Sequence, residues 1–286
     1  MKSVRLFLVV VFLNFFSSYA FVNQICGLPN IGNNCYLNAS LQCLFQIPEV
    51  ISSINLATKG EQGSLFFCKK LIDVFKRYNE EEVLAEIIEL CEHTNTCFFN
   101  GSDEQQDAFE FFFKLIDSTP LLQTLFSFAF NTKIICTNCS AVLRSVNQTK
   151  YDLSPRIFQR CITNMDFCPN CLLSNIKVSK EIALNNFPPY LLIDCERICD
   201  GNVFVVMNKL NLIRLGDSHY KLIGAILHTG SSKEGHYIAC VKEAATSQWY
   251  LCDDMNIYKL SDFCEAEYEQ FAVFSPRFFL YAKQKT

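Results

Sequence analysis

The sequence lacks several features that mark common classes of binding protein. It has no excess of positive charge, because 25 Lys and Arg residues face 29 Asp and Glu residues and no basic stripe stands out. A nucleic acid is therefore not expected as a partner. The chain contains neither low-complexity tracts nor an internal repeat. Only four histidines are present, which leaves few candidates for a general base.

Hydrophobic residues, by contrast, are abundant. Half of the 286 residues are hydrophobic and 27 are phenylalanine. This composition argues against intrinsic disorder, and the chain is long enough to bury a sizeable core. We expect one large domain or two small ones.

The N-terminal segment has the shape of a secretory signal peptide. Lys2 and Arg5 precede an apolar run at 6–16 that is followed by SYA at 18–20. The run is short for a spanning helix, which needs about 20 apolar residues; a membrane anchor at 6–22 and an apolar helix packed on the domain are the alternatives. Four glycosylation sequons bear on this choice, at Asn38, Asn100, Asn138 and Asn147. Asn38 lies three residues after Cys35, and Asn138 lies between Cys136 and Cys139, in two motifs described below. A glycan would disrupt either motif. These two sites therefore favour the cytoplasm or nucleus over the secretory lumen.

Sixteen cysteines require a choice between disulfides, metal binding and catalysis. Four of them form two Cys-x-x-Cys knuckles, CTNC at 136–139 and CPNC at 168–171. Two knuckles at this separation suit a tetrahedral thiolate zinc site, and two redox or disulfide pairs are the alternative. Most of the remaining cysteines stand singly among apolar residues and are expected to be small buried side chains.

The hydrophobic pattern changes near residue 134. Before it, helical periodicity predicts three helices, at 38–45, 66–78 and 80–92. Ser102 and Gln105 have the spacing of a capping box for a further helix, which Pro120 limits. The predicted apolar face of that helix comprises Ala108, Phe111, Phe112 and Leu115.

After residue 134, short runs rich in β-branched and aromatic residues predict strands. These runs are TKIIC, PYLLIDC, NVFVVMN, YKLIGAILHT, HYIACVK, QWYLCDD and RFFLYAK. Helices first and strands after predict an α+β fold, with functional groups drawn from both halves. No linker rich in Gly, Pro or Ser separates the halves. We therefore expect one composite domain, with the cysteine knuckles at the tips of a protruding β-ribbon.

The stretch GLPNIGNNCYLNASLQ at 27–42 places a cysteine where a turn meets a helix. A thiolate is the reactive form of cysteine, and the N-terminus of a helix stabilises it. Asn30 lies five residues before Cys35, where its amide can donate to a developing oxyanion. This pattern indicates a nucleophile at Cys35, and a structural cysteine beside a glycine turn is the alternative.

A nucleophilic cysteine needs a base, and His236 in EGHYIAC is the best candidate. Gly235 directly before it allows a substrate backbone to approach closely. The next predicted strand, WYLCDD, ends in Asp253 and Asp254. If the two strands are antiparallel neighbours, an aspartate can contact the His236 ring and fix its orientation, as in a catalytic triad. A structural histidine at a strand start is the alternative.

Taken in their order along the chain, these motifs resemble those of the ubiquitin-specific proteases. The matching motifs are GLPNIGNNCYLNASLQ, EQQDAFEFF, the two knuckles, FPPYLLI, HTGSSKEGHYIACVK and WYLCDD. The resemblance covers residues 25–282. It implies a papain-like cysteine protease fold built from a thumb, a palm and zinc-bearing β-ribbon fingers. The implied catalytic domain spans residues 24–284 and follows the apolar segment at 1–22.

The resemblance also implies a role for each matching residue. Cys35 would be the nucleophile, His236 the general base and Asp253 the residue that orients the base. Asp254 would assist the oxyanion hole or the triad, and Asn30 would be the oxyanion donor. The implied substrate-binding residues are Gln106, Asp107, Gly235 and Tyr237. The implied ligands of a structural zinc ion are Cys136, Cys139, Cys168 and Cys171, and catalysis itself would need no cofactor.

The implied activity is thiol-dependent hydrolysis of the peptide or isopeptide bond after the C-terminal glycine of ubiquitin. Ubiquitin and ubiquitinated proteins would be the partners, and we expect a monomer. One departure from the family is Asn34, directly before Cys35, where the family usually has Thr. Three alternatives stay open: an inactive member that binds ubiquitin, a protease for a ubiquitin-like modifier, and a secreted disulfide-rich protein.

Overall fold

The computed structural model describes residues 25–50, 82–101, 104–153, 162–184, 186–195, 211–231, 234–263 and 274–285. The predicted helix at 66–78, the predicted strand at 202–208 and the apolar segment at 1–22 lie outside these residues. The described residues group into two compact units. Unit 1 lies within Met1–Leu122 and Ile223–Arg277, and unit 2 lies within Gln123–Leu222 and Phe278–Thr286.

Helices dominate the described part of the chain before residue 127, as predicted. They are α1 (Cys35–Leu44), α2 (Glu82–Phe99), α3 (Ala108–Ser118) and α4 (Pro120–Phe126). Helix α1 begins at Cys35 rather than at the predicted residue 38, and α2 continues beyond its predicted end at residue 92. In the described ranges, no helix combines the length and the apolar character needed to cross a membrane.

Helix α1 is buried along its whole length, including its polar side chains. The Ser40 hydroxyl donates to the Tyr36 carbonyl at 2.7 Å, and the Gln42 amide donates to the Cys26 carbonyl at 2.6 Å. A buried polar group without a partner costs about 1–3 kcal/mol. These hydrogen bonds reduce the cost of burying polar side chains in the core of unit 1, although Oε1 of Gln42 has no hydrogen-bond partner among the described residues.

The N-cap of α3 is Asp107. Its carboxylate accepts hydrogen bonds from the backbone N–H groups of Phe109, at 2.8 Å, and Glu110, at 3.0 Å. Both donors lack a partner within the helix. Of the predicted capping box, Ser102 lies outside the described residues, and Gln105 precedes the helix instead of standing in its first turn, so its predicted capping role is wrong. The predicted apolar face is confirmed, since Ala108, Phe111, Phe112 and Leu115 are all 0% exposed.

Strands dominate the described part of the chain after residue 127. They are β1 (Phe128–Cys136), β2 (Val142–Lys150), β3 (Asp152–Leu153), β4 (Ile162–Phe167), β5 (Ser174–Leu184), β6 (Tyr190–Asp194), β7 (Leu212–Leu215), β8 (Ser218–Gly230), β9 (Gly235–Lys242), β10 (Trp249–Asp253), β11 (Asn256–Leu260) and β12 (Ser275–Lys283). Six of the seven predicted strands are confirmed, as β1, β6, β8, β9, β10 and β12, and the seventh lies outside the described residues. The predicted α+β class is confirmed.

In unit 1, the antiparallel strands β8, β9, β10 and β11 are neighbours in that order. The β8–β9 hairpin closes with Gly230 opposite Gly235, and the β10–β11 hairpin closes with Asp253 opposite Asn256. Helix α1 packs against β9. Because β9 and β10 run in opposite directions, the start of β9 and the end of β10 lie at the same edge of the sheet.

A tight contact holds the segment before α1 against the turn that follows β10. A Cβ atom at Gly27 would lie only 2.2 Å from the Met255 carbonyl oxygen, so no side chain fits there. The neighbouring Leu28 N–H donates to the Asp254 carbonyl at 2.8 Å. Both contacts fix the approach of the chain to Cys35.

Unit 2 contains a four-stranded antiparallel sheet in the order β2-β1-β5-β4. The first cysteine knuckle joins β1 to β2, and the second joins β4 to β5. This arrangement matches the predicted β-ribbon, with one knuckle in each of its two hairpin turns. Elsewhere in unit 2, β6 pairs in parallel with β3 and antiparallel with residues 278–282 of β12.

Candidate active site

Cys35 is the first residue of α1 and is only 3% exposed. The N–H groups in the first turn of a helix have no partner within the helix, and they favour a negative charge nearby. The burial of α1 against β9 and α3 fixes this end of the helix within unit 1. The side chain of Cys35 is therefore held at the start of a buried helix.

His236 and Asp253 meet at the sheet edge formed by β9 and β10. The Nε2 atom of His236 lies 2.6 Å from Oδ1 of Asp253, and 3.9 Å from Oδ2 of Asp254. The antiparallel pairing of β9 with β10, with Cys252 opposite Ala239, produces this contact. The structure thus brings together the histidine and the aspartate that the sequence singles out.

The side chain of Cys35 also acts on the His236 ring, because it is the largest influence that raises the pKa of this histidine. Because Nε2 contacts Asp253, Nδ1 is the ring nitrogen that remains for another partner. The influence of Cys35, followed by the bond to Asp253, raises the pKa of His236 to about 9 against the lowering effect of burial. The raised pKa favours the protonated, imidazolium form of His236 at neutral pH.

Asn30 lies in the turn before Cys35, and both ends of its amide have partners. Its Nδ2 atom donates to Oδ2 of Asp254 at 2.8 Å, and its Oδ1 atom accepts from the Gly32 N–H at 3.0 Å. One of the two hydrogens on Nδ2 remains for another acceptor. Asp254 has a positive φ of 49° in the turn after β10, and its Oδ1 atom also accepts from Asn38 at 2.8 Å. The carboxylate of Asp254 therefore orients Asn30 rather than the His236 ring.

Asn34, the departure from the family motif, is 4% exposed and holds the turn that contains Asn30. Its Oδ1 atom accepts from the Ile31 N–H at 2.8 Å. Its Nδ2 atom donates to the Pro29 carbonyl at 3.1 Å and to Oδ1 of Asn38 at 3.2 Å. A threonine has a single hydroxyl and could not form all three bonds. Asn34 is thus an integral part of this turn.

Asn38 is the centre of the same hydrogen-bond network and is 4% exposed. Besides the bond to Asp254, its Nδ2 atom donates to the carbonyls of Leu28 and Pro29, each at 3.2 Å. A glycan cannot be attached to a side chain that is buried and bonded in this way. A glycan on Asn38 is therefore incompatible with the folded structure.

Asp107, one of the predicted substrate-binding residues, forms several side-chain hydrogen bonds. Besides capping α3, its Oδ2 atom accepts from Nε of Arg277 at 2.8 Å and from the Tyr237 hydroxyl at 3.3 Å. Burial acts to raise the pKa of Asp107. The hydrogen bond and charge of Arg277, together with the backbone hydrogen bonds from Glu110 and Phe109, outweigh this effect, and the pKa lies below its ordinary value. Gln106, also predicted, donates from Nε2 to the Glu104 carbonyl at 2.9 Å. The role of these residues in substrate binding stays a prediction.

Gly235, at the start of β9, lies where there is no space for a side chain. A Cβ atom there would lie 2.2 Å from the Thr229 carbonyl oxygen and 2.4 Å from Nε2 of His228. The His228 ring in turn packs against the ring of Tyr237, with centroids 4.3 Å apart. Any side chain at position 235 would displace this packing just before His236.

Gln105 is a site residue that the sequence patterns did not indicate as functional. Its Nε2 atom lies 3.5 Å from the Cys35 sulfur and donates to the Gly235 carbonyl at 2.8 Å. Its Oε1 atom accepts from the Gly235 N–H at 2.8 Å. The only local signal was its position beside the Gln-Asp motif, and the capping-box spacing gave it a different role.

In unit 2, the four knuckle cysteines lie together, with their sulfur atoms within 4.8 Å of one another. The sulfur of Cys136 is 4.0 Å from that of Cys171, and the sulfur of Cys139 is 3.7 Å from that of Cys168. In each knuckle a backbone hydrogen bond closes the turn, from Ser140 N–H to the Cys136 carbonyl and from Leu172 N–H to the Cys168 carbonyl, both at 2.9 Å. Four thiols in this arrangement can hold a metal ion.

The model of the family described as ubiquitin carboxyl-terminal hydrolase matches residues 26–273 of the chain. Among curated relatives, ubiquitin carboxyl-terminal hydrolase Usp2 of Drosophila melanogaster is 24% identical over 304 residues, a match covering 80% of this chain and 32% of that protein. Ubiquitin carboxyl-terminal hydrolase 25 of Arabidopsis thaliana is 23% identical over 301 residues, covering 80% of this chain and 43% of that protein. The chain thus spans less than half the length of these two relatives.

Solved structures share the fold. The SAGA Ubp8/Sgf11/Sus1/Sgf73 DUB module bound to ubiquitin aldehyde matches with a TM-score of 0.71 and 17% identity, covering all of this chain and 76% of that chain. A SAGA DUB module of the same four proteins bound to monoubiquitin matches with a TM-score of 0.68 and 16% identity, covering 96% of this chain and 75% of that chain. Since the family model covers most of the sequence, the chain belongs to the ubiquitin carboxyl-terminal hydrolase family.

Proposed function

We propose that the chain is a cysteine-type hydrolase that cleaves the peptide or isopeptide bond after the C-terminal glycine of ubiquitin. One observation carries the proposal: Cys35 begins a buried helix and acts on His236, whose Nε2 atom lies 2.6 Å from Oδ1 of Asp253. Family membership supports ubiquitin as the substrate class. Two structures that share the fold contain ubiquitin or ubiquitin aldehyde.

In the first half of the proposed reaction, the Cys35 thiolate attacks the carbonyl carbon of the terminal glycine. The carbonyl oxygen becomes an oxyanion, and the remaining Nδ2 hydrogen of Asn30 donates to it. The C–N bond then breaks, and His236 gives its proton to the departing amine. The products are the free amine and a thioester between Cys35 and the glycine.

In the second half, water hydrolyses the thioester. Neutral His236 takes a proton from the water as the oxygen attacks the thioester carbonyl. The C–S bond breaks, the second proton of the water is released to the solvent, ubiquitin leaves with a free carboxylate, and the thiolate of Cys35 is restored beside protonated His236. Asp253 keeps the His236 ring in one orientation through both halves.

Asp107 would support the bound ubiquitin tail as part of a preformed surface. Its four contacts, with Phe109, Glu110, Tyr237 and Arg277, hold the carboxylate in one orientation. A group fixed before binding loses little entropy when a ligand arrives. Gln106, Gly235 and Tyr237 would complete the contacts to the tail.

Zinc is the metal that best suits the four knuckle cysteines of unit 2. A tetrahedral zinc–thiolate site with bonds of about 2.3 Å places its sulfur atoms about 3.8 Å apart. The distances of 3.7 and 4.0 Å between paired sulfurs fit this value. The zinc would be structural: it would tie the β1–β2 turn to the β4–β5 turn, and Cys136, Cys139, Cys168 and Cys171 would hold it.

A test of the proposed activity uses ubiquitin with a thiol-reactive group at its C-terminus. The full chain should form a covalent adduct with it, and the Cys35→Ala variant should not. The Cys97→Ala variant, which removes an exposed cysteine of α2, is the matched control and should react like the wild type.

Mass spectrometry of the adduct identifies the modified peptide. An adduct on a cysteine other than Cys35 would refute the mechanism. No adduct from folded wild-type protein would favour an inactive ubiquitin-binding protein, or a hydrolase for a ubiquitin-like modifier. The same experiment with probes made from such modifiers separates these two outcomes.

A further inference from the structure

Gln105 connects the nucleophile to the strand that carries the base. It precedes α3 and is half-buried. Its carboxamide forms two hydrogen bonds with the backbone of a single residue, Gly235, each at 2.8 Å. The same amide nitrogen lies 3.5 Å from the sulfur of Cys35. Gly235 directly precedes His236 in β9.

We infer that Gln105 is a positioning residue for the reaction, which holds His236 in place relative to Cys35 and stabilises the thiolate. The inference rests on the proposed function for its role in turnover. It goes beyond the proposed triad and oxyanion donor, since neither of those includes Gln105.

The two hydrogen bonds between Gln105 and Gly235 support the positioning role. At the end of a hairpin, backbone groups that face away from the partner strand need another partner. Gln105 supplies an acceptor for the Gly235 N–H and a donor for the Gly235 carbonyl. This fixes the first residue of β9, and with it the backbone from which the His236 side chain extends.

The Nε2 atom of the same amide, which lies 3.5 Å from the Cys35 sulfur, supports the effect on the thiolate. A carboxamide NH₂ group has two hydrogens. One is directed to the Gly235 carbonyl, and the other is available to the Cys35 sulfur. A hydrogen bond donated to an ionisable group favours its charged form. The Gln105 amide therefore adds to the effect of the helix start and of protonated His236.

A different role can be stated for the same geometry. An extended peptide pairs with a strand through backbone N–H and C=O groups, and Gln105 occupies both groups of Gly235. If a substrate had to displace this amide, Gln105 would be a latch that slows binding. The latch and the positioning role predict opposite effects of removing the side chain.

The test compares Gln105→Glu and Gln105→Ala with the wild-type full chain. The Glu variant keeps an oxygen for the Gly235 N–H but places a carboxylate where the amide nitrogen lies, beside the sulfur. The rate of Cys35 alkylation by iodoacetamide is measured against pH, with the modified peptide identified by mass spectrometry. Ionisable groups near the pair, which include His236, Asp253, Asp254 and Tyr36, are the same in every variant.

We expect the pH midpoint of Cys35 alkylation to move upward by about one pH unit or more in Gln105→Glu, because a negative charge opposes the thiolate. In Gln105→Ala, alkylation at neutral pH should slow by about tenfold, as for the loss of one hydrogen bond to a charged group. With the ubiquitin substrate, both variants should lower kcat and leave KM within about twofold, since the lost contacts act on the reacting pair.

The matched control is Gln284→Glu, the same chemical change at an exposed position of unit 2. Thermal unfolding of each variant shows that it is folded. An unchanged alkylation profile in folded Gln105→Glu would overturn the inference, and so would a higher kcat/KM in Gln105→Ala, which would establish the latch. Alkylation that shifts as expected, without any ubiquitin turnover in the wild type, would refute the proposed function and support the thiolate-stabilising part of this inference.

Discussion

The ring of His236 contacts Asp253 rather than Asp254, although the two aspartates are adjacent in sequence. Its Nε2 atom lies 2.6 Å from Asp253 and 3.9 Å from Asp254. Asp253 is the last residue of β10, whereas Asp254 has a positive φ and directs its carboxylate to Asn30 and Asn38. Two neighbouring carboxylates thus serve different partners, and variants of each should have different effects.

The first prediction concerns Asp253→Asn and the pH dependence of turnover. The pKa of His236 is about 9, so turnover of an isopeptide substrate should fall as pH rises through about 9, because the leaving amine loses its proton donor. The variant loses a contact that raises this pKa. Its alkaline limb should therefore move to lower pH, and its kcat should be lower by about 10²- to 10⁴-fold.

The measurement is kcat/KM against pH for wild type, Asp253→Asn and the exposed control Asp217→Asn. The raised pKa of His236 also makes the folding stability depend on pH, and this contribution too decreases as pH rises. Because the folded pKa of His236 exceeds the free value of about 6.5, its contribution to stability is full below about pH 6.5 and is lost as pH rises through about 9. An alkaline limb that stays in place in Asp253→Asn would contradict the assignment.

The second prediction is that Asn30→Ala lowers kcat by about 100- to 1,000-fold, the usual effect of removing one oxyanion donor. KM should change little, because the oxyanion forms only during the reaction. Asp254→Ala should reproduce part of this loss, since it removes the 2.8 Å bond that orients the Asn30 amide. Steady-state kinetics with Asn33→Ala as the control, an exposed asparagine of the same turn, checks both. If Asn30→Ala instead lowers kcat/KM only by raising KM, Asn30 binds the substrate and is not the oxyanion donor.

The third prediction is that Asn34→Ala lowers the free energy of unfolding by about 1–3 kcal/mol, because it leaves buried polar groups without partners. Asn34→Thr should lose less, since a hydroxyl can replace one of the three bonds. Urea unfolding measures both variants, with the exposed Asn164→Ala as the control. A larger loss in Asn34→Thr than in Asn34→Ala would show that packing, and not hydrogen bonding, determines this position.

The fourth prediction is that the purified chain contains one zinc ion and that a strong chelator lowers its melting temperature. Binding of a structural metal is coupled to folding. The double variant Cys136→Ser with Cys139→Ser should bind no zinc and should melt like the chelated wild type. Cys97→Ser is the control for loss of a thiol elsewhere. Elemental analysis and thermal unfolding measure both quantities, and equal melting temperatures with and without chelator would argue against the site.

The sequence was informative where function and local structure coincide. Cys35 follows a turn-rich stretch and starts a helix, and Asp253 ends a strand that is the neighbour of the strand with His236. The turn-rich stretch before a helix and the aspartate at the end of a strand are short patterns, whereas the pairing of β9 with β10 was a condition of the prediction that the structure confirms. The two knuckles were equally clear, because the spacing of a metal site is local within each pair.

Contacts between distant segments could not be predicted in this way. Gln105 meets Cys35 and Gly235 across 70 and 130 positions, and only the folded chain brings them together. Strand β2 was missed for a different reason: most of its residues are exposed, so the alternation that marks a half-buried strand is absent. The start of α1 was placed too late because Asn34 uses its side chain to hold the preceding turn and makes no cap bond.

The glycines near the site affect how a saturation mutagenesis screen of this chain should be interpreted. At Gly27 the Met255 carbonyl leaves no room for even a methyl group, and at Gly235 the Thr229 carbonyl and the His228 ring do the same. Both positions should therefore score as intolerant as Cys35 in a screen that reports activity alone. Scoring each variant for cellular abundance as well would separate them, because Cys35→Ala should accumulate normally while alanine at either glycine should be depleted.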